Sequence, residues 1–215
     1  MVNTLLFDLD GTLVDTNRLI IDTFKKVFEK YFPNLEVPEE TIKTFVGPTL
    51  VSTFSSYTND KNLVEELVQY YRKINVEIHD EYVTIYDNVY ETLEYLYNTG
   101  YNLAVVTSKS KEMAERGLKL FDIDKFFKVV VGCYQVTNHK PHPEVLYKAL
   151  ESFNNVDEVI VVGDTKSDVL AAKNANFYSI GVNWSINLES LLTSNPDYVI
   201  SNFKEIIDIV EKGEI

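Results

Sequence analysis

The chain has 215 residues, 45% of them hydrophobic and 25% charged, with 8 Gly and 6 Pro. That is the make-up of one large globular domain, or one domain with a modest insertion, and it excludes a disordered, fibrous or low-complexity chain. Lys plus Arg number 20 and Asp plus Glu 33, a formal net charge of −13, so nucleic acid and anionic membrane, which need clustered positive charge, are not expected as partners. A small anionic substrate stays open, because a few local cations or a metal ion reverse the field inside a cleft.

Near the amino terminus only Leu5, Leu6 and Phe7 precede Asp8, too short a run for a signal-peptide core. No apolar stretch approaches membrane-spanning length. The single cysteine, Cys133, cannot form an internal disulfide or a cysteine zinc site, and after the apolar run 126–132 it reads as a small core residue. The expectation is a soluble, cytoplasmic protein, a monomer or weak homodimer.

Residues 4–7 form an apolar run that ends in Asp8-Leu9-Asp10-Gly11-Thr12, a buried strand entering a turn. Leu19, Ile20, Phe24, Val27, Phe28 and Tyr31 then recur at helical spacing, with Asp15 or Thr16 as N-cap. Pro33 and Pro38 break that helix. Two shorter helical patterns divided by Gly47-Pro48 follow, then an amphipathic helix over 63–78. Strands are hard to find between 16 and 80.

Beyond about residue 85 the pattern changes to alternation. Helices are predicted at 89–98, 113–120, 144–153, 168–174 and 204–211, and strands at 103–106, 129–131, 159–162, 178–182 and 198–200. Alternating apolar strands and helices predict an α/β fold, a doubly wound parallel sheet covered on both faces. The first strand joins that sheet, so the core is 1–15 and 81–215 and the all-helical segment 16–80 is an insertion.

Ligands of such sheets bind outside the carboxyl ends of the strands. The sequence places Asp8 and Asp10 after the first strand, Thr107 and Ser108 after the second, and Asp164 and Asp168 after a later one, with Lys140 between. Singly, each has an ordinary explanation. Asp10-Gly11 suits a bend, Thr107, Ser108 or Asp164 suits a helix N-cap, and Lys140 before Pro141 suits a solvated surface. Together they are what metal-assisted phosphoryl transfer requires. His79, His139 and His142 share no ligand spacing and read as surface or loop residues.

Phe7-Asp8-Leu9-Asp10-Gly11-Thr12-Leu13 resembles the first signature of the haloacid dehalogenase superfamily, whose members are mostly magnesium-dependent phosphatases. Val106-Thr107-Ser108 resembles its second motif, Lys140-Pro141 its third, and Gly163-Asp164-Thr165-Lys166-Ser167-Asp168 its fourth. The helical segment sits where that family inserts a small helical cap. The Gly47-Pro48-Thr49-Leu50 element and the length are similar to those of PpaX-type pyrophosphatases and the related phosphoglycolate phosphatases.

The resemblance implies a nucleophile at Asp8, forming an aspartyl phosphate that water hydrolyses. It implies Mg2+ held by Asp8, the backbone carbonyl of Asp10 and Asp164, with Asp168 orienting the metal's waters or Lys140. Asp10 would protonate the leaving oxygen and deprotonate water, since residues two apart in an extended segment share a face. Thr107 would offer its hydroxyl and a helix-start amide, and Lys140 fixed charge. The cap would close over the site, with Gly47, Pro48 and Thr49 facing the substrate. Arg72 and Lys73 are candidates for a second anion contact, or simply a solvated helix face.

The implied activity is hydrolysis of a small phosphorylated molecule, inorganic pyrophosphate first and phosphoglycolate second. A phospho-accepting regulatory domain also combines carboxylates, Thr or Ser, Lys and magnesium, but Asp10 and an inserted cap serve turnover. A dehalogenase has no need of Asp10, Asp164 and magnesium together. Sugar-phosphate mutases typically carry a histidine where this chain has Leu19 and Ile20, and the hinge, 85–89, lacks the family's frequent proline-glycine element.

Overall fold

The computed structural model describes residues 1–212. The chain opens with β1 (Val2–Phe7) and the two-residue β2 (Val14–Asp15). Four helices follow, α1 (Asn17–Tyr31), α2 (Glu39–Lys43), α3 (Leu50–Ser55) and α4 (Lys61–Tyr82), and then β3 (Thr84–Ile85), which pairs with β2. The rest alternates: α5 (Val89–Asn98), β4 (Asn102–Val106), α6 (Lys111–Leu120), β5 (Val129–Val131) and α7 (Glu144–Leu150). It continues with β6 (Glu158–Gly163), α8 (Lys166–Asn174), β7 (Tyr178–Val182), α9 (Leu188–Leu192), β8 (Tyr198–Ile200) and α10 (Glu205–Lys212).

Two compact units result, one of Met1–Val14 with the chain from Ile85 onward, the other Asp15–Thr84. The expected limits 16 and 80 fall just inside the helical unit, because α4 continues to Tyr82. In the first unit six strands form one parallel sheet in the order β5-β4-β1-β6-β7-β8. Apolar runs make the strands, since a sheet with both faces covered has no solvent side to alternate toward. Leu6, Ala104, Val106, Val131, Val159 and Val161 pack on one face with Leu146 and Ala172. Phe7, the next residue along β1, meets Phe127 and Phe203 at ring distances of 6.0 and 5.9 Å. β1 lies between β4 and β6, where the winding of the chain reverses, so its carboxyl end opens at the switch point where such sheets hold ligands.

The helical unit has its own core. Phe24 of α1 is buried, with ring centroids of Phe45, Phe54 and Tyr71 at 5.1, 5.5 and 4.7 Å. Asp60 caps α4, its carboxylate accepting from the amides of Asn62 and Leu63 at 2.9 and 3.4 Å. At α1 the two N-cap candidates divide the task. Thr16 occupies the cap position without a side-chain bond, while Asp15 Oδ1 accepts from the Asn17 amide at 3.0 Å.

Two expectations are corrected. His79 is not at the surface; it is 1% exposed on the inner side of α4, with Nδ1 2.8 Å from Asp80 Oδ1. Cys133 is half-buried in a 3-10 turn rather than part of the core, because β5 ends two residues before it. The hinge, lacking glycine, makes its left-handed turn with Asn88 at φ 64°, a conformation Asn tolerates better than other side chains. Among the described residues no helix is long and apolar enough to cross a membrane.

Phe24→Ala should destabilise the protein by about 3–5 kcal/mol, the usual cost of deleting a buried ring. Phe24→Leu should cost less than half of that, as read by denaturant titration.

Candidate active site

Asp8 follows directly on β1, its amide donating to Val162 O at 2.8 Å. The chain then turns within a few residues: the amides of Thr12, Leu13 and Val14 all reach Leu9 O, and Gly11 donates to Val14 O at 2.8 Å. Gly11 sits at φ 83°, and a Cβ there would run into the carboxylate of Asp164. Glycine is therefore needed twice over, for the turn and for the approach of Asp164 from β6. Gly163, before Asp164, plays the same part for Asp168, whose Cβ would overlap an added methyl.

Lys140 reaches into this cluster from the loop before α7. Its side chain is 4% exposed, and its ammonium donates to Asp8 Oδ1 at 2.7 Å, to Asp168 Oδ1 at 2.5 Å and to Val106 O at 3.2 Å. Three donors meet three acceptors, so the buried charge is fully satisfied. Asp168 is the third residue of α8 and forms a capping box with Thr165: Thr165 Oγ1 accepts from the Asp168 amide, and Asp168 Oδ2 from the Thr165 amide at 3.0 Å. Both its oxygens are therefore engaged, and it positions Lys140. Asp164, a candidate cap, does not cap α8; Thr165 does.

Thr107 is 3% exposed at the end of β4. Its amide donates to Val131 O at 3.0 Å and lies four residues before α6, so no helix-start amide is available from it. The hydroxyl accepts from the Lys109 amide at 3.1 Å, which leaves its proton to donate elsewhere. Ser108 follows, half-buried. Sequence reasoning missed Lys109, whose ammonium lies 2.8 Å from Asp10 Oδ1. It also missed Thr12, whose hydroxyl is 3.4 Å from Asp164 Oδ1, and the loop after β7. There Ser185 Oγ donates to Asp164 O at 2.6 Å and Trp184 Nε1 to Gly11 O at 3.1 Å. Thr12 lies in the first motif with no role assigned to it; no motif announces the others, which only the adjacency of β4, β1, β6 and β7 brings together.

The remaining candidates lie in the helical unit. Gly47 takes φ 108° in the turn before α3, and Pro48 follows it. Thr49 caps α3, its Oγ1 accepting from the Ser52 amide at 3.2 Å. Arg72 and Lys73 are exposed on α4.

The electrostatics of the cluster are unbalanced. Burial pushes the Asp8 carboxyl up to about 7; Lys140 pulls it down, and the charge of Asp168 adds to the upward push. Burial, then the charges of Asp8 and Asp168, hold the Asp164 carboxyl well above the ordinary range. Burial opposes the charge on Lys140, but Asp168 and Asp8 outweigh it and raise its affinity for the proton. Asp8, Asp10, Asp164 and Asp168 against Lys109 and Lys140 give four negative and two positive charges, a formal −2 when all are ionised. Asp164 Oδ2 is buried and has no hydrogen-bond partner among the described residues. Asp8, Asp164 and Asp168 bring carboxylate oxygens within 4.8 Å of one another. An orphaned oxygen, an all-oxygen donor set and two missing positive charges fit a hard divalent cation. Since Asp168 is committed to Lys140 and Thr165, Asp8 and Asp164 are the residues that would hold it.

Two outcomes follow for the protein in chelator. A carboxyl whose pKa is raised on folding stabilises the native state fully below the ordinary carboxylate range and loses that contribution as pH climbs through about 7. Asp8→Asn, which carries no titrating group, should therefore gain in melting temperature over the unmodified protein by a few degrees more at about pH 8 than at about pH 4. Asp164→Asn should raise the melting temperature of the chelated protein and should lack the further rise expected of the unmodified one in excess magnesium. Calorimetry checks both.

The haloacid dehalogenase-like hydrolase family matches residues 5–182. The pyrophosphatase PpaX of Halalkalibacterium halodurans is 43% identical over 211 residues, covering 97% of each chain. That of Bacillus cereus is 41% identical over 211 residues, covering 97% of this chain and 96% of its own. Among solved structures, a haloacid dehalogenase-like family hydrolase from Streptococcus pneumoniae superposes with a TM-score of 0.82 at 28% identity, over 97% of this chain and 98% of that one. With the carboxylates, lysine and threonine of all four motifs gathered at one sheet edge, the chain belongs to the haloacid dehalogenase-like hydrolases.

Proposed function

We propose that the chain is a magnesium-dependent phosphohydrolase that works through an aspartyl phosphate on Asp8, with inorganic pyrophosphate as its first substrate and phosphoglycolate as its second. The observation that carries this reading is the pairing of a half-committed Asp8, one oxygen held by Lys140, with the unsatisfied oxygen of Asp164. The names of the Halalkalibacterium and Bacillus relatives support pyrophosphate.

Lys140 holds Asp8 Oδ1, so the other carboxylate oxygen attacks phosphorus as the bond to the leaving oxygen breaks. Asp10 gives that oxygen a proton. Water then attacks the same phosphorus, passing a proton to Asp10, and inorganic phosphate leaves as the Asp8 carboxylate re-forms. The Thr107 hydroxyl donates to a phosphoryl oxygen throughout. Magnesium held by Asp8, Asp164 and the carbonyl of Asp10 would supply the positive charge that lets an ionised carboxylate approach an anionic phosphate. Residues 15–84 are read as the cap, with Gly47, Pro48, Thr49 and Arg72 as its substrate-facing candidates.

Phosphate release from pyrophosphate should depend on magnesium and stop in chelator. Asp8→Asn should lower kcat by at least about 1,000-fold with the circular dichroism spectrum unchanged. Near-normal turnover in that variant, or full activity in chelator, would refute the mechanism.

A further inference from the structure

The ion pair between Lys109 and Asp10 stands apart from the rest of the cluster. The side chains of Asp8, Lys140 and Asp168 are 8%, 4% and 2% exposed, whereas those of Lys109 and Asp10 are 14% and 16% exposed. The charges thus form a deep group around the nucleophile and a shallower pair nearer solvent. Lys140 has no donor to spare, since Asp8, Asp168 and Val106 take all three. The Lys109 ammonium gives one donor to Asp10 Oδ1 at 2.8 Å.

The backbone of Lys109 is clamped as well. Its amide donates to Thr107 Oγ1 at 3.1 Å and its carbonyl accepts from the Cys133 amide at 2.9 Å. Gly132 permits this, because a Cβ there would come within 2.8 Å of Lys109 O and 2.5 Å of the Lys111 nitrogen. These bonds fix the backbone from which the side chain reaches Asp10. We infer that Lys109 is a specificity-determining residue, whose ammonium beside Asp10 selects substrates in which the leaving group carries its own negative charge. The inference rests on the phosphohydrolase reading, in which Asp10 meets the leaving oxygen; a cation 2.8 Å from Asp10 then flanks whatever that oxygen is attached to. The substrate class is phosphoric anhydrides and phosphate esters of small acids, as opposed to esters of neutral alcohols or phenols.

The test compares kcat/KM for two anionic-leaving-group substrates, pyrophosphate and phosphoglycolate, with two neutral ones, 2-hydroxyethyl phosphate and phenyl phosphate. Phosphoglycolate and 2-hydroxyethyl phosphate match in length and differ in the carboxylate. An effect of Lys109 on Asp10 scales with the basicity of the leaving oxygen, which is an alkoxide in both phosphoglycolate and 2-hydroxyethyl phosphate, so it cancels in the ratio of that pair, which decides the test. In Lys109→Gln the anionic-to-neutral ratio should fall roughly 10- to 100-fold, carried mainly by KM. Lys109→Arg, which keeps the charge, should hold the ratio within about 3-fold, and Lys109→Met should repeat the fall and gives the result should the Gln variant fail to fold. Equal losses on all four substrates, or an unchanged ratio in the Gln variant, would overturn the inference. If the unmodified protein releases phosphate from none of the four, the phosphohydrolase reading itself fails, and that appears before any variant is made.

Discussion

The ammonium of Lys140 is the point at which the rest of the site is tied together. Its three protons reach Asp8 just past β1, Val106 at the end of β4, and Asp168 in the first turn of α8 beyond β6. Those are the central strand and its two neighbours, so one side chain locks the relative position of three strand ends. A lysine with a 4% exposed side chain is tolerable only because every donor is met and two acceptors are ionisable carboxylates. Remove that charge, and three buried carboxylates face each other with nothing but burial to decide which keeps its proton.

That arrangement also explains why the carboxylates divide into different roles despite sharing one residue type. Asp168 spends one oxygen on Lys140 and the other on the Thr165 amide, which fixes its rotamer and leaves it a support. Asp8 spends only one, and Asp164, sealed behind Gly11 and Thr12, receives a single long hydrogen bond and leaves its second oxygen bare. Environment, not identity, sorts them.

The sheet was legible because its strands are nearly continuous apolar runs; buried on both faces, they have no polar side to dilute the signal. The predicted strand at 178–182 coincides with β7, and the one at 103–106 differs from β4 by a single residue. The motif residues were legible in type and place, since strand ends converge at the switch point of any doubly wound sheet. What the sequence hid was long-range and polar. Lys109 sits two residues past Thr107 in an otherwise ordinary polar stretch, and its pairing with Asp10, 99 positions away, follows only from β4 lying beside β1. Trp184 and Ser185 act on the turn after β1 and on Asp164 from the loop after β7, with no spacing signature. His79 misled for the opposite reason. A lone histidine on a charged helix reads as solvated, yet position 79 falls on the stripe of α4 that also buries Leu67, Val68, Tyr71 and Asn75.

Asp8 and Asp10 lie two residues apart, and the difference between their surroundings bears on turnover. Around Asp8 everything is closed: Lys140 fixes one oxygen, Val162 the backbone amide, and solvent barely enters. Asp10 is more open and is paired with Lys109, whose side chain is also nearer solvent. A phospho-accepting switch needs the first environment alone, because its phosphate must persist. Hydrolysis needs both, with a water admitted near phosphorus and a base within reach of it. In the proposed mechanism, a second carboxylate two residues on, nearer solvent and paired with a counter-charge, is what would let a group that accepts phosphate also give it up.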